Sequence, residues 1–105
     1  MKIALASDYA GRQLKDAIVR HVEAAGHKTV DFGLSEDDST VDYPDYALPA
    51  AEAVAEGKCD AGILVCGTGI GMSICANKVR GIRCACVADC FSAEATRLHN
   101  DANVL

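Results

Sequence analysis

Residues 62–73, Gly-Ile-Leu-Val-Cys-Gly-Thr-Gly-Ile-Gly-Met-Ser, constrain the fold more than any other stretch of the chain. An apolar run ends in Cys66 and passes through a turn where Gly67, Gly69 and Gly71 alternate with Thr68 and Ile70. A helix-like pattern follows. That order places one thiol and several backbone N–H groups at the carboxyl end of a strand, where open parallel α/β sheets bind ligands. The segment therefore brings an anion cradle and a reactive group to one place.

The rest of the chain repeats the strand-then-helix order. Residues 2–6 read as a short apolar strand, and Ser7-Asp8-Tyr9-Ala10-Gly11 as the turn after it. Leu14, Ala17, Ile18, His21 and Val22 recur at helical spacing, with Gly26 as C-cap. Residues 28–32 predict a second strand, and residues 33–42 a polar loop. Pro44 fits the first turn of a second, Ala-rich helix running to about residue 56, ahead of Gly57. A third strand is expected over 61–65 and a third helix over 69–78. A fourth strand is expected over 82–87, and a fourth helix over 91–99 with Ser92 near its start. Residues 103–105 open a fifth strand. Alternation of this kind implies right-handed crossovers and one three-layer α/β/α, Rossmann-like domain around a parallel sheet of four to five strands.

Composition excludes several classes of function. A net charge of -5 argues against nucleic acid as a partner. No apolar run approaches the roughly 20 residues that cross a bilayer, and the chain opens as a strand without a signal peptide's apolar region. A cytoplasmic protein without membrane partners is expected. Six cysteines, at 59, 66, 75, 84, 86 and 90, raise disulfide and zinc readings. The missing export signal argues against the first. The second lacks a C-x-x-C pair, and Cys84 and Cys86 would share one strand face. Most of these thiols are expected to serve as small buried hydrophobes, without a structural metal.

Several residues could carry chemistry, each with a plainer structural alternative. Cys66 sits ahead of a helix N-terminus, where the macrodipole favours a thiolate able to act as nucleophile, base or redox centre. A buried strand-end cysteine is the alternative. Gly67, Thr68, Gly69, Ile70 and Gly71 could wrap an oxyanion with successive N–H groups, or form only a tight turn. The turn lacks both a P-loop's Lys-Ser/Thr ending and a full dinucleotide fingerprint. Asp8 and Tyr9 end the first strand on the same rim as Cys66. Asp8 could hold a sugar hydroxyl, move a proton or simply cap the next helix. His99 and Asn100 close the fourth helix, where a histidine also suits the dipole. His21 and His27 read as ordinary, and Glu36-Asp37-Asp38 as a solvated loop.

Together these segments resemble the type B ribose-5-phosphate isomerases and the related galactose-6-phosphate isomerase subunits. The matching stretches are Ser7-Asp8, Ala10-Gly11, residues 41–47 (Val-Asp-Tyr-Pro-Asp-Tyr-Ala), residues 66–73, Ala76-Asn77-Lys78, Gly81-Ile82-Arg83 and residues 99–105 (His-Asn-Asp-Ala-Asn-Val-Leu). They span the chain in the family's order and spacing. The resemblance implies a metal-free, cofactor-free aldose–ketose isomerase for ribose 5-phosphate and ribulose 5-phosphate, or for allose or galactose 6-phosphate, acting through a cis-enediolate. Cys66 would be the base, His99 would open the sugar ring, and Thr68 would hydrogen-bond nearby. The amides of Gly67, Gly69, Ile70 and Gly71 would hold the enediolate oxygen, and Asp8, Tyr9 and Asn100 would lie against the substrate. The resemblance also implies a homodimer or homotetramer with the site between subunits.

The chain departs from the family pattern in two respects. Tyr9 stands where a histidine is common. Family chains also continue past residue 105 through a strand and a helix carrying phosphate-binding arginines, which Arg80, Arg83 and Arg97 do not replace. A single domain over 1–105, truncated at its C-terminus relative to the family, would show weak or absent turnover and an exposed sheet edge. Two alternatives belong to other classes: a non-catalytic module binding a phosphate or sugar phosphate, and a thiol redox protein.

Overall fold

The structure, a computed structural model, describes residues 1–33 and 42–105. The acidic group at 36–38 lies outside the described residues. Three parallel strands, β1 (Lys2–Ser7), β2 (Lys28–Asp31) and β3 (Ala61–Val65), form a sheet in the order β2-β1-β3. Lys2 pairs with Lys28 on one side of β1, and Ser7 pairs with Val65 on the other. As the central strand, β1 is buried from Ile3 to Ser7, and its first four buried residues, Ile3 to Ala6, read as an unbroken apolar run.

Among the described residues, four helices follow the expected order: α1 (Arg12–Ala24), α2 (Pro44–Ala55), α3 (Ile70–Asn77) and α4 (Cys90–Asn100). Gly26 ends α1 as predicted. It adopts φ +93 and donates to the Glu23 carbonyl, while His27 N–H donates to the Val22 carbonyl. Gly57 and Lys58 close α2 in the same way on Val54 and Ala53. Chain direction and right-handed crossovers put α1 on one face of the sheet and α2, with α3 beside it, on the other. The core lies mainly under α2, where Ala47, Ala50 and Ala51 let the helix approach Ala4 and Ala6 closely.

The strand expected over 82–87 is reduced to one parallel bridge, Cys84 to Val104. Side-chain amides take over its remaining pairing. Asn77 accepts from Cys84 N–H and donates to the Cys84 carbonyl, both at 2.8 Å. Asn103 accepts from Arg83 N–H and donates to the Gly81 carbonyl. Residues 103–105 lie between this segment and β3, with Gly62 N–H donating to the Asn103 carbonyl and Leu64 N–H to the Leu105 carbonyl. The five-stranded order is thus present in space, with three regular strands among the described residues.

On the α1 face the sheet is incompletely covered. A groove of about 750 Å³ opens between Leu14, Ile18 and Val22 of α1 and a floor that includes Ile63, Val65 and Leu105. The apolar stripe read from the α1 sequence therefore faces a cavity, and Leu14 is 58% exposed. Lys15 behaves oppositely. It is buried, and its ammonium reaches the Asp31 carboxylate at 2.6 Å and the Gly33 carbonyl at 3.3 Å, tying α1 to β2.

The expectation that most cysteines are buried is wrong. Only Cys59 and Cys75 are buried; Cys66 and Cys84 are half-buried, and Cys86 and Cys90 are exposed. The reason is placement, since Cys86 and Cys90 line the open groove, and Cys66 and Cys84 sit at the margin between groove and core.

Candidate active site at the carboxyl end of the sheet

Cys66 is the first residue past β3, and its sulfur accepts the Gly69 N–H at 3.0 Å. Gly69 caps α3 with φ +78, a left-handed conformation that glycine adopts without strain. That conformation turns its amide back onto the sulfur. Thr68 closes the turn, its hydroxyl accepting Ile70 N–H at 3.2 Å. Two amides of the anticipated cradle are therefore used inside the turn, leaving those of Gly67, Thr68 and Gly71 as the ones a ligand could meet. Cys66, Gly67, Thr68 and Gly69 line the 750 Å³ groove together, whereas Ile70 is exposed.

Asp8 joins this rim through the backbone. Its N–H donates to the Val65 carbonyl at 3.1 Å, and its Oδ1 accepts the Gly11 N–H at 2.8 Å. The carboxylate thus stabilises the turn ahead of α1, close to the capping alternative, although Gly11 itself occupies the N-cap. Tyr9 is 60% exposed on the same rim and opens onto a separate cavity of about 420 Å³ with Arg12 and Asp16.

His99 and Asn100 stand in the last turn of α4, both exposed, and neither lines the Cys66 groove. Asn100 borders a third cavity of about 400 Å³ with Arg83 and Cys84, and its carbonyl accepts the Arg83 Nε–H at 2.8 Å. One chain therefore gathers Cys66, the glycine turn and Asp8, but holds His99 apart from them.

Two features escaped the sequence reading. His21, set aside as an ordinary helix residue, lines the far wall of the Cys66 groove. Helical spacing marked its face, but nothing in the sequence showed what that face looks onto. Ser7 is fully buried at the end of β1, and its hydroxyl finds no hydrogen-bond partner among the described residues. Burial also acts on Cys84, whose thiol is pushed up to about 11 with the neighbouring Cys86 adding to the effect. Among the described residues no group of three or more His, Cys, Asp or Glu could hold a metal ion, and no helix is long and apolar enough to cross a membrane.

A parallel α/β sheet with a thiol and a glycine turn at its carboxyl edge defines a small-molecule-binding α/β protein of the Rossmann-like class. The chain belongs to the Ribose/Galactose Isomerase family, whose model matches residues 3–105. It is 48% identical over 104 residues to ribose-5-phosphate isomerase B of Escherichia coli, covering 99% of this chain and 69% of that one. It is also 41% identical over 107 residues to D-erythrulose-4-phosphate isomerase 2 of Mycolicibacterium smegmatis, covering 100% and 70%. Among solved structures, ribose-5-phosphate isomerase B of Clostridium thermocellum superposes with a TM-score of 0.96 at 50% identity, over 100% of this chain and 70% of that one. The Mycoplasma genitalium enzyme with bound ribulose-5-phosphate gives 0.94 at 41% identity, over 99% and 69%. These relatives support an isomerase and do not favour a non-catalytic binding module.

Proposed function

We propose that the protein interconverts ribose 5-phosphate and ribulose 5-phosphate by moving a proton between C2 and C1 of the open-chain sugar. One observation carries this reading: the Cys66 sulfur stands at the sheet's carboxyl edge, held by the Gly69 N–H beside the amides of the glycine turn. In the forward direction the Cys66 thiolate takes the C2 proton, and the electrons move onto the carbonyl oxygen to give a cis-enediolate. We assign the amides of Gly67, Thr68 and Gly71 to stabilise that developing charge. The O2 hydroxyl proton passes to O1, and the Cys66 thiol, exchanging with solvent over repeated turnovers, gives a proton to C1. The C2 carbonyl then forms to complete the ketose. Thr68 fixes the turn through Ile70, and Asp8 and Asn100 hold substrate hydroxyls.

Ring opening needs a second acid–base group, and His99 is the one we assign. Its exposure at the end of α4, away from the Cys66 groove, supports a site completed by a second copy of the chain. We assign Tyr9, exposed on the same rim, to the border of that shared site. The reaction belongs in the cytoplasm, where a thiol base stays reduced.

The test is incubation with ribose 5-phosphate in D2O with no added metal. Proton transfer through an enediolate gives ribulose 5-phosphate carrying deuterium at C1. Unchanged substrate, or product that retains only the original hydrogens after many turnovers, contradicts the reading.

A further inference from the structure

Cys66, Cys84, Cys86 and Cys90 line one groove, yet their sulfurs are placed differently. The Cys66 sulfur takes the Gly69 N–H at 3.0 Å. The Cys86 thiol donates to the Thr68 carbonyl at 3.6 Å, and a Cβ added at Gly69 would lie 3.4 Å from the same sulfur. Both sulfurs therefore rest against Thr68–Gly69, although their residues come from segments separated by residues 103–105. Bond geometry across Gly69 then puts the two sulfurs within about 9 Å of each other. A disulfide needs Cβ atoms about 3.5–4.5 Å apart, so closure asks the turn to shift towards residue 86. Gly67 has open space around its Cα and Gly69 carries no side chain to obstruct the path.

From this geometry we propose that Cys66 and Cys86 form a hydroperoxide-responsive thiol pair, with Cys86 as the resolving thiol that converts oxidised Cys66 into a reversible disulfide. The Cys66 thiolate attacks one peroxide oxygen, the O–O bond breaks, and the departing hydroxide takes up a proton to leave as water. Cys66 becomes a sulfenic acid. The Cys86 sulfur then attacks it, the S–S bond forms, the S–O bond breaks, and the hydroxyl departs as water with the Cys86 proton. Two electrons pass from the thiols to the peroxide, and an external dithiol reverses the change. Cys84 competes poorly because burial keeps it protonated, while exposed Cys90, at the first position of α4, is the competitor to exclude. That the disulfide silences turnover rests on Cys66 being the base; that it forms does not.

The experiment exposes the reduced full chain to hydrogen peroxide, digests it without reduction and reads the linked peptides by mass spectrometry. A Cys66–Cys86 linkage is expected, with isomerase activity lowered about 100-fold or more and restored by dithiothreitol. Cys86→Ser and Cys86→Ala should each lose the linkage and leave Cys66 as a sulfenic acid captured by dimedone. Cys90→Ser should keep the linkage. Cys66 joined to Cys84 or Cys90, or left as a free thiol while the others oxidise, overturns the proposal. If the Cys66–Cys86 linkage forms and turnover is untouched, the thiol pair stands and the assignment of Cys66 as base fails.

Discussion

Position 11 shows how a single residue sets the rim of the proposed site. A Cβ on Gly11 would lie 2.6 Å from the Val65 carbonyl oxygen and 2.7 Å from its carbon, both backbone atoms that cannot rotate away. Gly11→Ala should therefore destabilise the fold by about 1–3 kcal/mol, seen as a lower urea midpoint at unchanged slope. It should also slow turnover, because Val65 precedes Cys66. Gly11 was legible only as a turn residue; its close approach to β3 depends on a pairing between distant segments. Cys66 and the glycines were legible because strand, thiol and turn are contiguous. The contact of Cys86 with Thr68 was not, since it crosses 18 residues of chain. The same limit explains the cysteine error: composition counts thiols, but tertiary placement decides which are buried.

Among the elements, α4 depends on a clear start signal. Asp89 caps it, accepting Ser92 N–H at 2.6 Å, and that bond holds the Asp89 carboxyl below its ordinary value of 3.8. A carboxyl with a lowered folded pKa contributes stability above its unfolded pKa and loses it as pH falls through the folded value. The thermal midpoint of Asp89→Ala should therefore lie below that of the parent protein near neutral pH. The gap between the two should narrow as pH falls below about 4. A gap that is constant over the whole range would place the stabilisation elsewhere. The helices were legible from their caps and periodicity, with α1 and α2 ending at Gly26 and Gly57 as read. The strand at 82–87 was overread because alternation cannot reveal that Asn77 and Asn103 amides stand in for a neighbouring ladder.

For the whole molecule, the spread of the residues proposed to act is the main constraint. Cys66 and the glycine turn share one groove, and His99 stands outside it at the end of α4. If two copies complete each site, Cys66→Ala and His99→Asn chains should each be inactive alone and recover activity when mixed. Random pairing of equal amounts restores about a quarter of the parent sites, measurable as initial rate after co-refolding. No recovery, with dimers confirmed by sedimentation, would place both residues in one chain's site. The sequence showed which faces are apolar but not how subunits meet, because patterning carries no information about a second copy.

The assignment of Cys66 as the base is tested most directly by the rate of ketose formation from ribose 5-phosphate in folded Cys66→Ala protein. Loss of the base should slow this rate by about 100- to 10,000-fold, whereas a rate within about twofold of the parent would contradict the assignment.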